Sequence, residues 1–330
     1  MEKLKIGVVG TGHLGKLHTK MLQQISKCEL IGIYDSNPDQ LAHVSKEYNV
    51  RAFGSISEML DNVDAVSIAV TTSAHFQVAE KCLENNKHVF IEKPITSLIS
   101  EGEKLVKTAA DKNLIIQVGH IERFNPALLA VEEFIIQPMF IQSDRLAQFN
   151  PRGTDVAVVL DLMIHDIDII LSLVKSDVSR IDASGVAVVS NNIDIANARI
   201  QFVNGAVANV TASRISQKKM RKMRLFQKDN YISLDFIAGV AEVYRLVPAD
   251  QQLLTPAISF GEIGMGDKKK RVIYEQPEIK EVNALKYELE LFVNSVIAGK
   301  SPVVTGDDGL RALKVAQIII EKIEELKINV

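Results

Sequence analysis

The chain has 330 residues, of which 47% are hydrophobic and 24% charged, with a formal net charge of −3 and two cysteines. These values fit an ordinary globular protein with room for two domains, and the charge is too near neutral to suggest a nucleic-acid or anionic-membrane partner. Cys28 and Cys82 are too few for a disulfide framework, no apolar run reaches the roughly 20 residues of a membrane span, and Met1-Glu2-Lys3 leads straight into a strand rather than a signal-peptide core, which together predict a cytoplasmic protein.

From the N-terminus, short apolar runs alternate with helical periodicity. Strand patterns cover Lys5 to Val9, Leu30 to Tyr34, Ala65 to Val70, His88 to Ile91 and Leu114 to Gly119. Helical patterns fill the intervals at Gly15 to Ile25, Pro38 to Tyr48, Ala74 to Asn85 and Leu98 to Lys112. Strands this apolar, separated by helices, predict a doubly wound parallel sheet, an α/β Rossmann domain over residues 1–122. The rhythm then changes. A helix pattern from Leu160 to Val174 is followed by consecutive strand patterns from Val178 to Leu246, with Asn204-Gly205 and Lys228-Asp229-Asn230 as hairpin signals. Strands with no helix between them pair antiparallel, so residues 123–330 are expected to form a C-terminal α+β domain with a large open, mainly antiparallel sheet. Its uncovered face predicts a homodimer or homotetramer. Two helices close the chain, Asn283 to Ala298 and Asp307 to Leu326, separated by Gly299-Lys300-Ser301-Pro302.

Gly10-Thr11-Gly12-His13-Leu14-Gly15 follows the first strand and opens the first helix. In that setting the first glycine permits a tight turn, the second lets backbone approach a pyrophosphate, and the third allows close helix-strand packing. Asp35 ends the second strand, where a carboxylate accepts hydrogen bonds from ribose hydroxyls and repels a 2′-phosphate. Ser36 and Asn37 supply no arginine for that phosphate, so NAD is expected rather than NADP, and no long insertion suits FAD. Thr71-Thr72-Ser73-Ala74-His75 follows the third strand and Glu92-Lys93-Pro94 the fourth, both at the carboxyl edge where open α/β sheets bind ligands. Thr71, Thr72, His75, Glu92 and Lys93 therefore join the expected cofactor contacts.

The helix from Leu160 to Val174 is almost entirely apolar, yet Asp161, His165, Asp168 and Ser172 fall at i, i+4, i+7 and i+11. That spacing predicts one polar stripe on a helix buried on its other faces. Each unpartnered charge there costs several kcal/mol of desolvation, so something polar must meet the stripe.

Taken together, Gly10 to Gly15, Glu92-Lys93-Pro94, and Asp161 with His165 resemble the glucose-fructose oxidoreductase, inositol dehydrogenase and MocA (Gfo/Idh/MocA) family over essentially the whole chain. The resemblance implies an N-terminal domain that binds a nicotinamide dinucleotide and a C-terminal open sheet that builds the substrate pocket and an oligomer interface. The family's lysine matches Lys93, and its helix-borne Asp and His match Asp161 and His165. Moving a hydride from a secondary alcohol to NAD leaves a hydroxyl proton to be removed, a task suited to His165. Lys93 can hydrogen-bond the same oxygen, and Asp161 can orient the imidazole or bind a neighbouring hydroxyl. No metal is required for this chemistry.

The stretch Gly119 to Ala127 and the tetrad His165-Asp166-Ile167-Asp168 resemble the nucleotide-sugar branch, the UDP-N-acetylglucosamine 3-dehydrogenases. Where many relatives carry glycines before the Asp and the His, this chain has Asp155-Val156-Ala157 and Met163; Glu122 stands where polyol dehydrogenases often have arginine. The resemblance thus implies oxidation of the 3-hydroxyl of a UDP-N-acetylhexosamine to a 3-keto sugar. Dehydrogenation of a free sugar, polyol or inositol is the alternative reaction, and a catalytically silent NAD(H)-binding regulator the alternative of another class. A diphosphate needs cationic partners, for which Arg123, Arg145, Arg152 and Arg214 are candidates. Arg123 and Asn125 are expected to contact substrate. Lys218 to Arg224 reads as the solvated face of a strand, and Lys268 to Arg271 as an exposed loop.

Overall fold

The computed structural model describes residues 3–134, 136–150, 156–251, 258–266 and 269–327. The chain divides into two compact units, Met1–Phe124 with Asn283–Lys314, and Asn125–Val282 with Val315–Val330.

In the first unit β1 (Leu4–Val9), β2 (Cys28–Tyr34), β3 (Ala65–Ile68), β4 (His88–Glu92) and β5 (Ile116–Gly119) form a parallel sheet in the order β2-β1-β3-β4-β5. Ala52 adds an isolated parallel bridge outside β2, to Ile33. The connections carry α1 (His13–Leu22), α2 (Pro38–Tyr48), α3 (Ile56–Leu60), α4 (Thr72–Glu84) and α5 (Ile99–Asp111). Every residue of β3 and β5 is buried, as the continuous apolar runs require of strands covered on both faces. α2 starts where the sequence marks it. Asn37 accepts hydrogen bonds from the amides of Asp39 and Gln40, and Pro38 takes the first helical position. β1 and β3 are neighbours in the sheet but not in the sequence, so their carboxyl ends flank the switch-point crevice of a doubly wound fold.

α8 (Ala284–Ala298), expected in the second domain, packs in the first unit. Leu285, Leu289, Phe292 and Val293 lie at helical spacing on one face and join Ile6, Val8, Leu22 and Ile25 in a single core, with Phe292 edge-on to Phe90. α9 (Gly306–Lys327) begins in the first unit and ends in the second.

In the second unit α6 (Pro126–Leu129) leads to β6 (Phe140–Leu146), a π-helical turn (Val159–Met163) and α7 (Ile164–Val174). The chain then supplies β7 (Val178–Val186), β8 (Ile195–Phe202), β9 (Val207–Ser213), β10 (Met220–Gln227), β11 (Asn230–Asp235), β12 (Val240–Pro248), β13 (Ile258–Ile263) and β14 (Lys270–Glu275). The described strands form one sheet in the order β13-β14-β12-β11-β10-β6-β9-β8-β7. Both expected hairpins are present, with Gly205 and Asp229 at positive φ in their turns. One pairing departs from the antiparallel rule: β6, which precedes α7 in the chain, inserts between β9 and β10 and runs parallel to β9. Along β8 and β9 buried Ala196, Ala198, Ile200, Ala208, Val210 and Ala212 alternate with residues that reach the other, open face.

Among the described residues, no helix is long and apolar enough to cross a membrane.

Candidate active site

Two of the three glycines from the end of β1 to the first turn of α1 are required by the protein itself. Gly10 has φ +91°, and a side chain there would press on the carbonyl of Ala69; a Cβ on Gly15 would lie 1.8 Å from the Gly10 oxygen. Gly12 differs, because a Cβ there would meet no protein atom within 4 Å. The space in front of α1 is therefore open to a ligand. Gly12 is the N-cap and donates no side-chain cap, so the first-turn amides around His13 and Leu14 face that space at the positive end of the helix dipole. A dinucleotide pyrophosphate fits these features.

Asp35 braces the same loop. Its Oδ2 accepts the Thr11 amide at 2.6 Å and the Thr11 hydroxyl at 2.9 Å, and its Oδ1 accepts the Asn37 amide at 2.8 Å. Gln40 adds a bond to the Thr11 carbonyl at 2.7 Å. The carboxylate remains half-exposed beside the glycine loop, with acceptor capacity left for ribose hydroxyls.

At the carboxyl end of β3, Thr71 is the N-cap of α4, Thr72 opens that helix, and His75 turns inward. His75 is buried, with Nδ1 2.8 Å from the Pro94 carbonyl and Nε2 3.2 Å from the Val70 carbonyl. Burial outweighs these two carbonyls and holds its pKa below the ordinary imidazole value, so the ring is neutral at physiological pH. A neutral ring has one N–H, and the shorter contact assigns it to Nδ1 and the Pro94 carbonyl, so His75 ties the loop after β4 to α4. That loop holds Lys93, half-buried, with a cis Lys93–Pro94 peptide.

His18, which no local pattern in the sequence marks, lies behind this loop. Its Nε2 is 2.9 Å from the Glu92 carboxylate and its Nδ1 is 2.7 Å from the Ser67 hydroxyl. The partners are 74 and 49 residues away, beyond the reach of any local pattern.

In the second unit the stripe on the apolar helix is altered in two ways. Residues Val159–Met163 close a π-helical turn, so Asp161 lies in a wider turn than His165, and the straight i, i+4 alignment expected of them is offset. Asp161 and His165 both lie on the less buried side of the helix, while Asp168 is buried and Ser172 returns its hydroxyl to the Ile169 carbonyl. The second change is Asp166, off the stripe and on a side expected to be apolar. It is 1% exposed and receives Arg145 through Nε at 2.7 Å and Nη2 at 3.0 Å. Arg145 is therefore occupied by a bidentate buried ion pair and is not a diphosphate ligand.

Arg214, likewise proposed for a diphosphate, is 4% exposed and donates to the Val156 carbonyl at 2.7 Å. Its guanidinium lies 3.9 Å from Asp161 and 4.0 Å from Asp194. Burial pushes the Asp194 carboxyl up, but the Ser190 hydroxyl and the amides of Ser190, Val189 and Val188 outweigh it and hold the group well below the usual carboxylate range. Arg214 thus lies between a fixed anion and the Asp161 carboxylate.

Arg123 leans towards Asp308 at 3.8 Å, and Asn125 caps α6 with its oxygen while its amide nitrogen donates to the Phe236 carbonyl at 3.1 Å. Arg152 and Asp155 lie outside the described residues, as does Lys268. Lys218 to Arg224 runs into β10 with its cations exposed, Lys222 paired to Asp235 and Arg224 to Asp144. Lys270 and Arg271, expected in a loop, belong instead to β14; Lys270 pairs with Asp229, and Arg271 donates to the carbonyls of Ala249 and Gln251. β14 lies inside the sheet, between β13 and β12, so these partners offset a run of like charge on an internal strand.

Two family models match the chain: an oxidoreductase family with NAD-binding Rossmann fold over residues 4–120, and the GFO/IDH/MocA C-terminal domain over residues 140–232. The chain is 36% identical to a UDP-N-acetylglucosamine 3-dehydrogenase of Acidithiobacillus ferrooxidans, over 96% of each chain. It is 24% identical to a myo-inositol 2-dehydrogenase of Thermotoga maritima, over 98% of this chain and 97% of that one. A solved structure of the Acidithiobacillus ferrooxidans enzyme superposes with a TM-score of 0.88 at 34% identity, covering 98% of this chain and 99% of that one. A levoglucosan dehydrogenase solved with NADH and L-sorbose shares the fold with a TM-score of 0.84 at 18% identity. With its glycine cradle at the switch point and its helix-borne Asp161 and His165, the chain belongs to the Gfo/Idh/MocA oxidoreductase family, and its first unit is an NAD-binding Rossmann domain.

Proposed function

We propose that the protein oxidises the 3-hydroxyl of a UDP-N-acetylhexosamine, UDP-N-acetylglucosamine in the first instance, to a 3-keto sugar. The observation that carries this reading is 36% identity to a UDP-N-acetylglucosamine 3-dehydrogenase across 96% of both chains. Bound NAD supplies the hydride acceptor. Gly10 to Gly15 and Asp35 hold the dinucleotide, with Thr71, Thr72, His75, Glu92 and Lys93 completing its contacts. His165 takes the proton of the reacting hydroxyl, Lys93 stabilises the oxygen as negative charge develops, and Asp161, braced by Arg214, orients the imidazole or a sugar hydroxyl. Arg123 and Asn125 bind substrate. The chemistry of each group supports its role: an imidazole titrates near neutrality, and an ammonium is a compact hydrogen-bond donor.

The assembly is a homodimer or homotetramer built on the open sheet, and the compartment is the cytoplasm. The support for the first is an aromatic row on the open face. Phe140, Phe226, Tyr231, Tyr244 and Tyr274 stand directly opposite one another on five successive strands, with Phe260 against the last two. An exposed apolar row of this length favours a covering partner, and a second copy of the same sheet is self-complementary to it.

Incubation with UDP-N-acetylglucosamine and NAD, coupled to an aminotransferase that removes the keto product, should generate NADH. Absence of NADH with every nucleotide sugar tested overturns the substrate reading, and turnover restricted to free sugars or inositols favours the alternative that the Thermotoga maritima relative represents. Lys93→Ala and His165→Ala should each lower kcat by about 100- to 10,000-fold while NADH binding persists. Full activity in both variants removes the proton-handling assignment.

A further inference from the structure

The sheet of the first unit buries a polar chain that reaches the proposed cofactor contacts only at Glu92. His18 and Ser67 are fully buried and Glu92 is 9% exposed, and the three are joined by the 2.7 Å and 2.9 Å contacts of the imidazole. Proton placement follows from the acceptors. An ionised carboxylate can only accept, so Nε2 carries the hydrogen given to Glu92, and Nδ1 receives the Ser67 hydroxyl proton. A neutral imidazole satisfies both contacts in that tautomer. Phe90 closes the ring edge-on at 5.5 Å.

Glu92 is held from its other side as well. It pairs directly with Gly119 across β4 and β5, and a Cβ on Gly119 would stand 3.1 Å from the carboxyl carbon and from both oxygens. The carboxylate therefore lies flat over a bare backbone, clamped between a glycine and an imidazole. Packing alone gives no reason for this, since an apolar trio would fill the same layer without desolvating a charge. What the clamp fixes is the chain on either side of Lys93: Glu92 is anchored to α1, and Pro94 is anchored through its carbonyl to His75 of α4.

We infer that His18 is a positioning residue for Lys93, which through Glu92 holds the lysine loop in register with α1, the helix whose N-terminus forms the pyrophosphate cradle. The inference rests on the role proposed for Lys93, and it adds a coupling: the element that holds the cofactor also sets the place of the lysine. A lysine left on an unanchored loop would still bind NAD but would meet the reacting oxygen in fewer productive geometries.

The test uses His18→Leu, which removes both contacts, His18→Gln, which keeps one amide donor, and Glu92→Gln, which keeps the shape. In the protein without ligand, acetylation of Lys93 read by peptide mass spectrometry, relative to exposed Lys46, should change by about threefold or more in His18→Leu and Glu92→Gln, because the ammonium's surroundings change, and should recover in His18→Gln. With substrate, kcat should fall by about 10- to 100-fold in His18→Leu with NADH affinity kept within about threefold, and His18→Gln should regain most of it. In a Lys93→Ala background His18→Leu should cost nothing further. Unchanged Lys93 labelling in both His18→Leu and Glu92→Gln overturns the inference, as does an equal loss from His18→Leu with and without Lys93. If His18→Leu does not fold, the isosteric Glu92→Gln decides by the same labelling. Wild-type turnover in Lys93→Ala alone would instead remove the lysine from the proposed reaction, a separate failure that the ligand-free labelling distinguishes.

Discussion

In the interior of the five-stranded sheet, as in β3 and β5, a polar side chain has no exit, because both faces are covered; in the nine-stranded sheet alternate residues reach an open face. Ser67 and Gln117 in the first sheet are both fully buried, and each is bonded to a specific group, His18 and the Glu288 carbonyl. On the open face of the second, Asn197 with Thr211 and Arg199 with Asn209 pair directly across strands, and Arg224 with Asp144 diagonally, where water competes for every bond. The covered face of that sheet follows the rule of the first, and it holds Arg145 with Asp166 and Arg214 beside Asp161. The lesson is that the energetic meaning of a polar residue here depends on the face it occupies rather than on its type. Arg145 of the sheet braces α7 through Asp166, and Arg214, just past β9, lies beside Asp161 of the π-helical turn, whereas Lys222 and Arg224 of the same sheet merely keep its open side wet.

The sharpest test of that contrast is Arg145→Met. It strands Asp166 without its bidentate partner in a site 1% exposed, and should cost about 3–5 kcal/mol of stability in urea unfolding. Lys222→Met, which breaks an exposed pair with Asp235, should cost no more than about 1 kcal/mol. Replacing Arg145 and Asp166 together by Met and Leu should recover most of the first loss, since two apolar side chains leave no buried charge. Equal costs for the two single substitutions would erase the distinction between the faces.

A smaller effect is expected from the centre of the aromatic row. Tyr231 stacks on Phe226 at 4.8 Å and on Tyr244 at 5.4 Å. Tyr231→Glu places a carboxylate amid the surface proposed to meet a second copy, and should weaken self-association by about 2 kcal/mol or more, read as a shift towards monomer in analytical ultracentrifugation. The circular dichroism spectrum should stay that of the parent, because the ring is on the open face. An unchanged sedimentation profile would show that the row is covered by nothing, and that the open face of this sheet is a solvent face in full.

The difference between the two sheets also explains what was legible in the sequence. Strands covered on both faces write continuous apolar runs, so all five strands of the first sheet are readable within two residues of their ends at most, and α2 is readable to the residue because Asn37 and Pro38 mark its start. The glycine cradle is readable because steric demands fall on adjacent positions. β6 is not, since its pattern of Ile141, Ser143 and Arg145 on the covered face mixes apolar with polar and reads as loop. The same mixing hid Asp166, whose partner lies 21 residues earlier on that strand. His18 is hidden for the complementary reason: it sits in a well-read helix, but its meaning lies in Glu92, which only the folded sheet brings to it. The π-helical turn and the packing of α8 with the first unit likewise depend on tertiary contacts that no local period records.

The mildest test concerns a titrating group within the covered sheet's edge. Burial holds the His75 pKa below its ordinary value, so the folded protein keeps the ring neutral over a range in which the unfolded chain protonates it. Its contribution to stability is complete above about pH 6.5, the unfolded value, and is lost as the pH falls towards the depressed folded value, because there the unfolded state binds the extra proton. The slope from this single group cannot exceed about 1.4 kcal/mol per pH unit. His88, which burial also lowers, adds a slope of the same sign, so the wild type alone does not isolate His75. His75→Gln does: it keeps a donor for the Pro94 carbonyl and has no proton to gain, so its stability should fall less between pH 7 and pH 5 than that of the parent. Parallel curves for the two proteins would mean that the imidazole takes up its proton in the fold over the same pH range as in the unfolded chain, the Pro94 and Val70 carbonyls offsetting its burial.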